Sequence, residues 1–271
     1  MKKTQHLFKY SPEFQLDYLQ YGQGNQRLIC FHGFGQEATI FEELSSQLTD
    51  YQIISIHLLF HGQSDRTHSS TYLQHKEWKA VLAGLLDHLN ISRFSVLGYS
   101  MGGRYTISTI YAFANRVDHC LLIAPDGIVK RMSYELATFP YGPQQLFSYF
   151  MYHPKSFFSF LDLIEKTKLI NPWTVKFSRS QLKEDAQRHR VFKSWITLKK
   201  LRLKQKALIA LINKEKFKTH LIFGRYDRII IPEHHQNFCD QLPSTQVSII
   251  ESAHHDLITH ATDTIKQALA S

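Results

Sequence analysis

The amino-acid sequence predicts an α/β fold, in which a mostly parallel sheet is covered by helices on both faces and interrupted by a helical insertion. Three observations predict it. Short apolar runs of strand length alternate with stretches of helical spacing through residues 27–124. The same alternation resumes over residues 220–269. Between them, residues 127–218 lose the pattern and become aromatic, basic and helical in spacing. Strands that read as continuous apolar runs are covered on both faces, and alternation with helices favours parallel pairing. At 271 residues the chain can carry one large core with an insertion.

Each element follows in order. Residues 14–21 alternate apolar and polar, as in an antiparallel edge strand. Residues 27–31 form a short apolar run that ends at His32-Gly33, a buried strand entering a turn. Residues 37–48 have helical spacing, and the Ile-rich residues 51–58 predict a second buried strand. Ser69, Ser70 or Thr71 can cap a helix running to about Asn90, with Trp78, Val81, Leu82, Leu85, Leu86 and Leu89 on its apolar face. A strand over 94–98, a helix over 101–113 and a strand over 119–124 complete the first half. After the insertion, residues 220–224, 233–241, 246–250 and 256–269 repeat strand, helix, strand, helix. Pro140, Pro143, Pro154 and Pro172 break the insertion into helices. The predicted division is a core of residues 1–126 and 219–271 and a helical cap of residues 127–218.

The charge is uneven. The chain has 32 Lys+Arg against 23 Asp+Glu, a net +9, and residues 127–218 alone hold 19 against 6. The positive charge therefore belongs to the insertion and suits an anionic small-molecule substrate better than nucleic acid, for which no recognised module is present. The run Lys199-Lys200-Leu201-Arg202-Leu203-Lys204-Gln205-Lys206 lacks a long apolar stripe and reads as solvated surface. Cys30, Cys120 and Cys239 are odd in number and far apart, which predicts reduced thiols and a cytoplasmic protein rather than a disulfide framework. No run reaches the ~18 apolar residues of a membrane span, so no stable membrane insertion is expected. Met1-Lys2-Lys3-Thr4 is followed by polar residues where a signal peptide needs an apolar run. The 16 histidines show no metal-ligand spacing, so neither metal nor cofactor is implied. Oligomeric state is not encoded in any pattern here.

Chemistry concentrates at Gly98-Tyr99-Ser100-Met101-Gly102-Gly103, at a junction of strand and helix. A serine on so sharp a turn needs small residues two before and two after it, so that strand and helix can approach. Its hydroxyl then stands above the sheet, with the next amide, Met101, aimed at the same point.

With this G-x-S-x-G elbow the sequence resembles the α/β-hydrolase superfamily, over nearly the whole chain outside the cap. The resemblance implies an α/β-hydrolase fold with Ser100 as nucleophile. It makes His32-Gly33-Phe34-Gly35 the oxyanion-hole loop, with Phe34 and Met101 supplying the two amides. It makes His61-Gly62-Gln63-Ser64 a structural turn, and it leaves His32 a turn-stabilising role. The family order Ser, acid, His points to Asp227, three residues past Gly224, with Asp126 as the reserve acid. For the base, the run Glu251-Ser252-Ala253-His254 favours His255, with His254 as the alternative. The implied activity is serine-ester hydrolysis through an acyl-enzyme. The elbow with Arg104 also resembles that of the menaquinone-pathway lyase that makes a cyclohexadiene carboxylate. There the triad acts as a base in an elimination, and Arg104 meets a substrate carboxylate or pairs with a nearby acid. A slow-turnover ligand receptor on the same fold is a third reading. Phe139, Tyr141, Phe147, Tyr149, Phe150, Tyr152, Phe157, Phe158 and Phe160 are expected to divide between the packing of the cap and an apolar pocket.

Overall fold

The computed structural model describes residues 3–67, 72–130, 132–138, 141–167, 175, 179, 182–215 and 217–271. Nine strands form one sheet: β1 (Lys3–Ser11), β2 (Phe14–Tyr21), β3 (Gln26–Phe31), β4 (Tyr51–Ile56), β5 (Asp65–Arg66), β6 (Phe94–Tyr99), β7 (Val117–Ile123), β8 (Lys218–Gly224) and β9 (Gln246–Ile250). The helices are α1 (Glu42–Gln47), α2 (His75–His88), α3 (Gly102–Phe113), α4 (Met132–Thr138), α5 (Tyr141–Tyr152), α6 (Pro154–Thr167), α7 (Asp185–Leu198), α8 (Gln205–Lys214), α9 (Gln236–Cys239), α10 (Leu257–His260) and α11 (Thr262–Ala270).

The strand order is β1-β2-β4-β3-β6-β7-β8-β9, with the short β5 pairing β2. From β4 to β9 every neighbour pair is parallel, whereas β1, β2 and β5 are joined antiparallel. The central strands are buried along their whole length at β6 and nearly so at β3, β4 and β8. Such strands must be apolar on both faces, which is why they read as continuous runs. Helix α2 buries Trp78, Val81, Leu82, Leu85 and Leu86, the face its spacing predicts.

Three expectations change. Residues 14–21 are not the edge strand; β1 lies outside them, paired Lys3↔Tyr21 through Ser11↔Phe14. Helix α2 starts at His75 after an extended Gln74 with no side-chain cap, while Ser69, Ser70 and Thr71 lie outside the described residues. The last helical stretch divides at Ala261 into α10 and α11.

The chain separates into two compact units, Met1–Val129 with Lys200–Ser271, and Lys130–Lys199. The smaller unit thus spans residues 130–199, within the 127–218 expected for the cap. Residues 200–214 fall in the sheet unit, to which three hydrogen bonds tie them. The Arg202 carbonyl meets His75 Nε2 at 3.2 Å, Lys200 Nζ reaches the Tyr72 hydroxyl at 3.0 Å, and Asn213 donates to the Gln241 carbonyl at 3.0 Å. In consequence most of the basic run is anchored to the sheet unit, with Leu201 fully buried.

The smaller unit has its own apolar cluster of Met151, Phe157, Leu161 and Val175, flanked by Phe147, Phe150, Phe158, Leu182 and Phe192. Tyr141, Tyr149, Tyr152 and Phe160 are exposed, so the aromatic stretch divides between packing and surface. Phe139, Pro140 and Pro172 lie outside the described residues.

Candidate active site

The elbow is built from close approaches that only glycine allows. Strand β6 ends at Tyr99 and α3 begins at Gly102, so two residues reverse the chain. Ser100 takes φ +50°, in the left-handed region that side chains disfavour. A Cβ on Gly98 would stand 2.2 Å from Thr106 Oγ1, and one on Gly102 would stand 2.1 Å from the Phe31 carbonyl oxygen. A Cβ on Gly103 would meet Pro125 at 2.8 Å. The strained serine is held by its own backbone. Its N–H donates to the Ile123 carbonyl at 2.9 Å, and its carbonyl accepts from Gly103 and Asp126 at 2.9 and 2.8 Å.

The candidate acid, Asp227, stands in the loop after β8. Asp227 folds back on this loop, and its Oδ1 accepts from the Ile229 and Ile230 amides at 2.7 and 2.8 Å. Its Oδ2 lies 2.6 Å from His254 Nδ1, and its side chain is fully buried. His254 Nε2 is 3.0 Å from Ser100 Oγ. A carboxylate on Nδ1 fixes the tautomer that leaves Nε2 free to accept the serine proton.

Of the two adjacent histidines it is His254, not the favoured His255, that faces Ser100. His255 turns outward, exposed, with Nε2 2.9 Å from Asp256. The register is set by the loop. Tyr226 N–H donates to the Ser252 carbonyl at 3.0 Å, and that carbonyl lies so near Gly224 that a Cβ there would be 2.5 Å away. His260 Nδ1 bonds Ser252 Oγ at 3.0 Å, and the Tyr99 hydroxyl donates to the His254 carbonyl. With the loop pinned at both ends, adjacent side chains diverge and only His254 points in.

Asp126 is likewise not where a reserve acid would be needed. Its carboxylate pairs with the buried Arg104, Nε to Oδ2 at 2.7 Å. Arg104 thus takes the structural pairing rather than standing open.

The loop of residues 32–36 supplies the other wall. His32 Nε2 accepts from the Leu58 amide at 3.0 Å, so its Nδ1 carries the proton and donates to the Gly33 carbonyl at 2.7 Å. That bond orients the peptide whose other side is the Phe34 amide. His61 accepts the Gly35 amide on Nε2 at 3.1 Å and lies 3.1 Å from the Leu59 carbonyl through Nδ1. Among the described residues, neither the Phe34 nor the Met101 amide donates to a protein acceptor. Below this loop His57 lies 3.9 Å from the buried Asp17, and burial pushes its imidazole below the ordinary histidine value. Tyr99 and Gln36, which the motif reading passes over, also sit here. Gln36 Oε1 accepts the Gly33 amide at 3.1 Å.

A nine-stranded, mostly parallel sheet with a strained serine at a strand-to-helix elbow defines the α/β-hydrolase class. A family profile described as alpha/beta hydrolase fold matches residues 26–261, and the chain belongs to that family. An uncharacterized hydrolase, YugF of Bacillus subtilis, is 32% identical over 109 residues, and the match spans only 40% of each chain. Lipase 1 of Psychrobacter immobilis is 25% identical over 242 residues, covering 87% of this chain and 73% of the lipase. A thermophilic esterase from Thermogutta terrifontis superposes with a TM-score of 0.70 at 17% identity, covering 100% of this chain and 98% of the esterase.

Proposed function

We propose that the protein hydrolyses small carboxylic esters, or related carbonyl compounds, through Ser100, His254 and Asp227. The observation that carries the reading is the continuous hydrogen-bonded line from Asp227 through His254 to Ser100 Oγ, at 2.6 and 3.0 Å. In this mechanism His254 Nε2 takes the Ser100 proton as Oγ attacks the carbonyl carbon. The Phe34 and Met101 amides receive the developing oxyanion, a contribution typically of several kcal/mol. The imidazolium, stabilised by Asp227, protonates the departing alkoxide. His254 then draws a proton from water, which attacks the acyl-enzyme and releases the acid and free Ser100.

The helical unit of residues 130–199, the proposed cap, carries 12 Lys+Arg against 5 Asp+Glu, which favours anionic esters. Three free cysteines, two of them buried, fit a reducing compartment, and we place the protein in the cytoplasm. The lyase reading loses support from Arg104, which is 3% exposed and engaged with Asp126 rather than available to a substrate carboxylate.

The test is turnover of aryl esters of graded acyl length by the wild type and by Ser100→Ala. Hydrolysis that falls by about 10³-fold or more in the variant supports the reading. Ligand binding without turnover favours a receptor. Elimination activity without ester hydrolysis favours the lyase.

A further inference from the structure

Tyr99 precedes the nucleophile and is 1% exposed. Its hydroxyl donates to the His254 carbonyl, which also accepts the Leu257 amide at 3.4 Å. Its ring lies 5.2 Å from the His254 imidazole, tilted by 33°. On its other side the ring borders Gly33. A Cβ at Gly33 would stand 3.2 Å from Tyr99 Cε1, 3.2 Å from Ser100 Cβ and 2.8 Å from Gln36 Oε1. The Gln36 amide also interacts with the Tyr99 hydroxyl, and burial together with the nearby Asp227 charge raises the phenol, keeping it a donor. One side chain therefore touches the oxyanion-hole loop, adjoins Ser100 in sequence and ties down the loop that carries the base.

We propose that Tyr99 is a positioning residue that fixes His254 over Ser100 through the His254 backbone, and couples that placement to the loop bearing the Phe34 amide. The inference rests on the Ser100–His254–Asp227 reading. Residues 251–256 form no helix or strand, so the place of the imidazole depends on a few bonds, and this one holds the His254 backbone from the residue beside Ser100. A misplacement of about 1 Å can cost about 10²-fold in rate, so loosening this bond should appear in catalysis before it appears in binding.

Tyr99→Phe removes one hydroxyl and keeps the ring. The full-length wild type, Tyr99→Phe and Ser100→Ala are compared by p-nitrophenyl butyrate kinetics, fluorophosphonate labelling rate, thermal midpoint and the downfield NMR signal of the His254 Nδ1 proton. The expected result is a kcat and labelling rate about tenfold lower in Tyr99→Phe. KM should stay within about twofold and the midpoint within a few degrees, with the Nδ1 proton signal shifted or exchange-broadened. Wild-type values throughout would overturn the proposal. So would a loss of kcat accompanied by a raised KM, a fallen midpoint and an unchanged Nδ1 signal, which is the mark of packing alone. A wild type that neither labels nor hydrolyses would instead overturn the triad reading. The NMR comparison still decides the role of Tyr99 in that event.

Discussion

Ser100 at φ +50° holds a conformation that costs about 1–3 kcal/mol and survives only where neighbours over-determine it. Those neighbours include the Ile123 carbonyl and the Gly103 and Asp126 amides bonded to Ser100, and the tight packing at Gly98 and Gly102, where a Cβ would meet Thr106 Oγ1 and the Phe31 carbonyl oxygen. Gly102→Ala should therefore destabilise by about 3 kcal/mol or more, read as a shift in the urea midpoint, because the clash is with the Phe31 carbonyl oxygen and not with a flexible side chain. A loss below about 1 kcal/mol would show that the elbow relaxes easily. The two aspartates near the site separate in the same way. Asp227→Asn should lower kcat by about 10³–10⁴-fold with little change in folding, since the Asp227 carboxylate faces the His254 ring. Asp126→Ala should act chiefly on stability, by about 3 kcal/mol, because it removes the carboxylate paired with buried Arg104. Parallel denaturation and kinetics check both, and the opposite split would reverse the assignment of the acid.

At the scale of elements, legibility followed burial. Strands β3, β4, β6 and β8 were readable because burial on both faces requires unbroken apolar runs. Strand β1, with the sequence KTQHLFKYS, was not. Most of its residues are exposed and it pairs on one side only, so its sequence carries no apolar signature. The positions of Ser100 and Asp227 were legible because glycines mark the turns that present them. Which of His254 and His255 faces Ser100 was not legible, because an irregular loop has no period. The choice between His254 and His255 depends on the bond from Tyr226 to Ser252 and on the approach to Gly224, which are contacts between distant segments. Tyr99 was passed over for a related reason, since the elbow motif leaves that position open. Strands β7 and β8 also carry a tension of their own. His119 and His220 stack with ring centroids 6.2 Å apart, and His119 Nδ1 and His220 Nε2 are buried with no hydrogen-bond partner among the described residues. Burial lowers both imidazoles, protonation of His119 would further oppose that of His220, and the Lys218 charge lowers each as well.

For the molecule as a whole, these groups set the acid limit. His57, His75, His119 and His220 are all depressed by burial from an ordinary value of 6.5. Below that pH the unfolded chain binds protons that the folded chain refuses, so stability is full above about 6.5 and falls as pH drops. Thermal midpoints measured from pH 8 to 5 should decline below about 6.5, and His220→Gln should flatten the decline. A flat profile would mean that these imidazoles take up protons without cost. The net charge of +9 also divides by unit, +7 in residues 130–199 and +2 in the sheet unit, where Lys+Arg number 20 against 18 Asp+Glu. Among the described residues no helix is long and apolar enough to cross a membrane. Weak, salt-sensitive attraction to anionic surfaces is what such a distribution supports.

Activation of Ser100 by His254 is read out by the rate of covalent fluorophosphonate labelling, followed by intact mass, in His254→Ala beside His255→Ala. His255→Ala should label within about twofold of the wild type, while His254→Ala should lose about 10³-fold or more. Unimpaired labelling in His254→Ala, or the loss falling on His255→Ala instead, would contradict activation by His254.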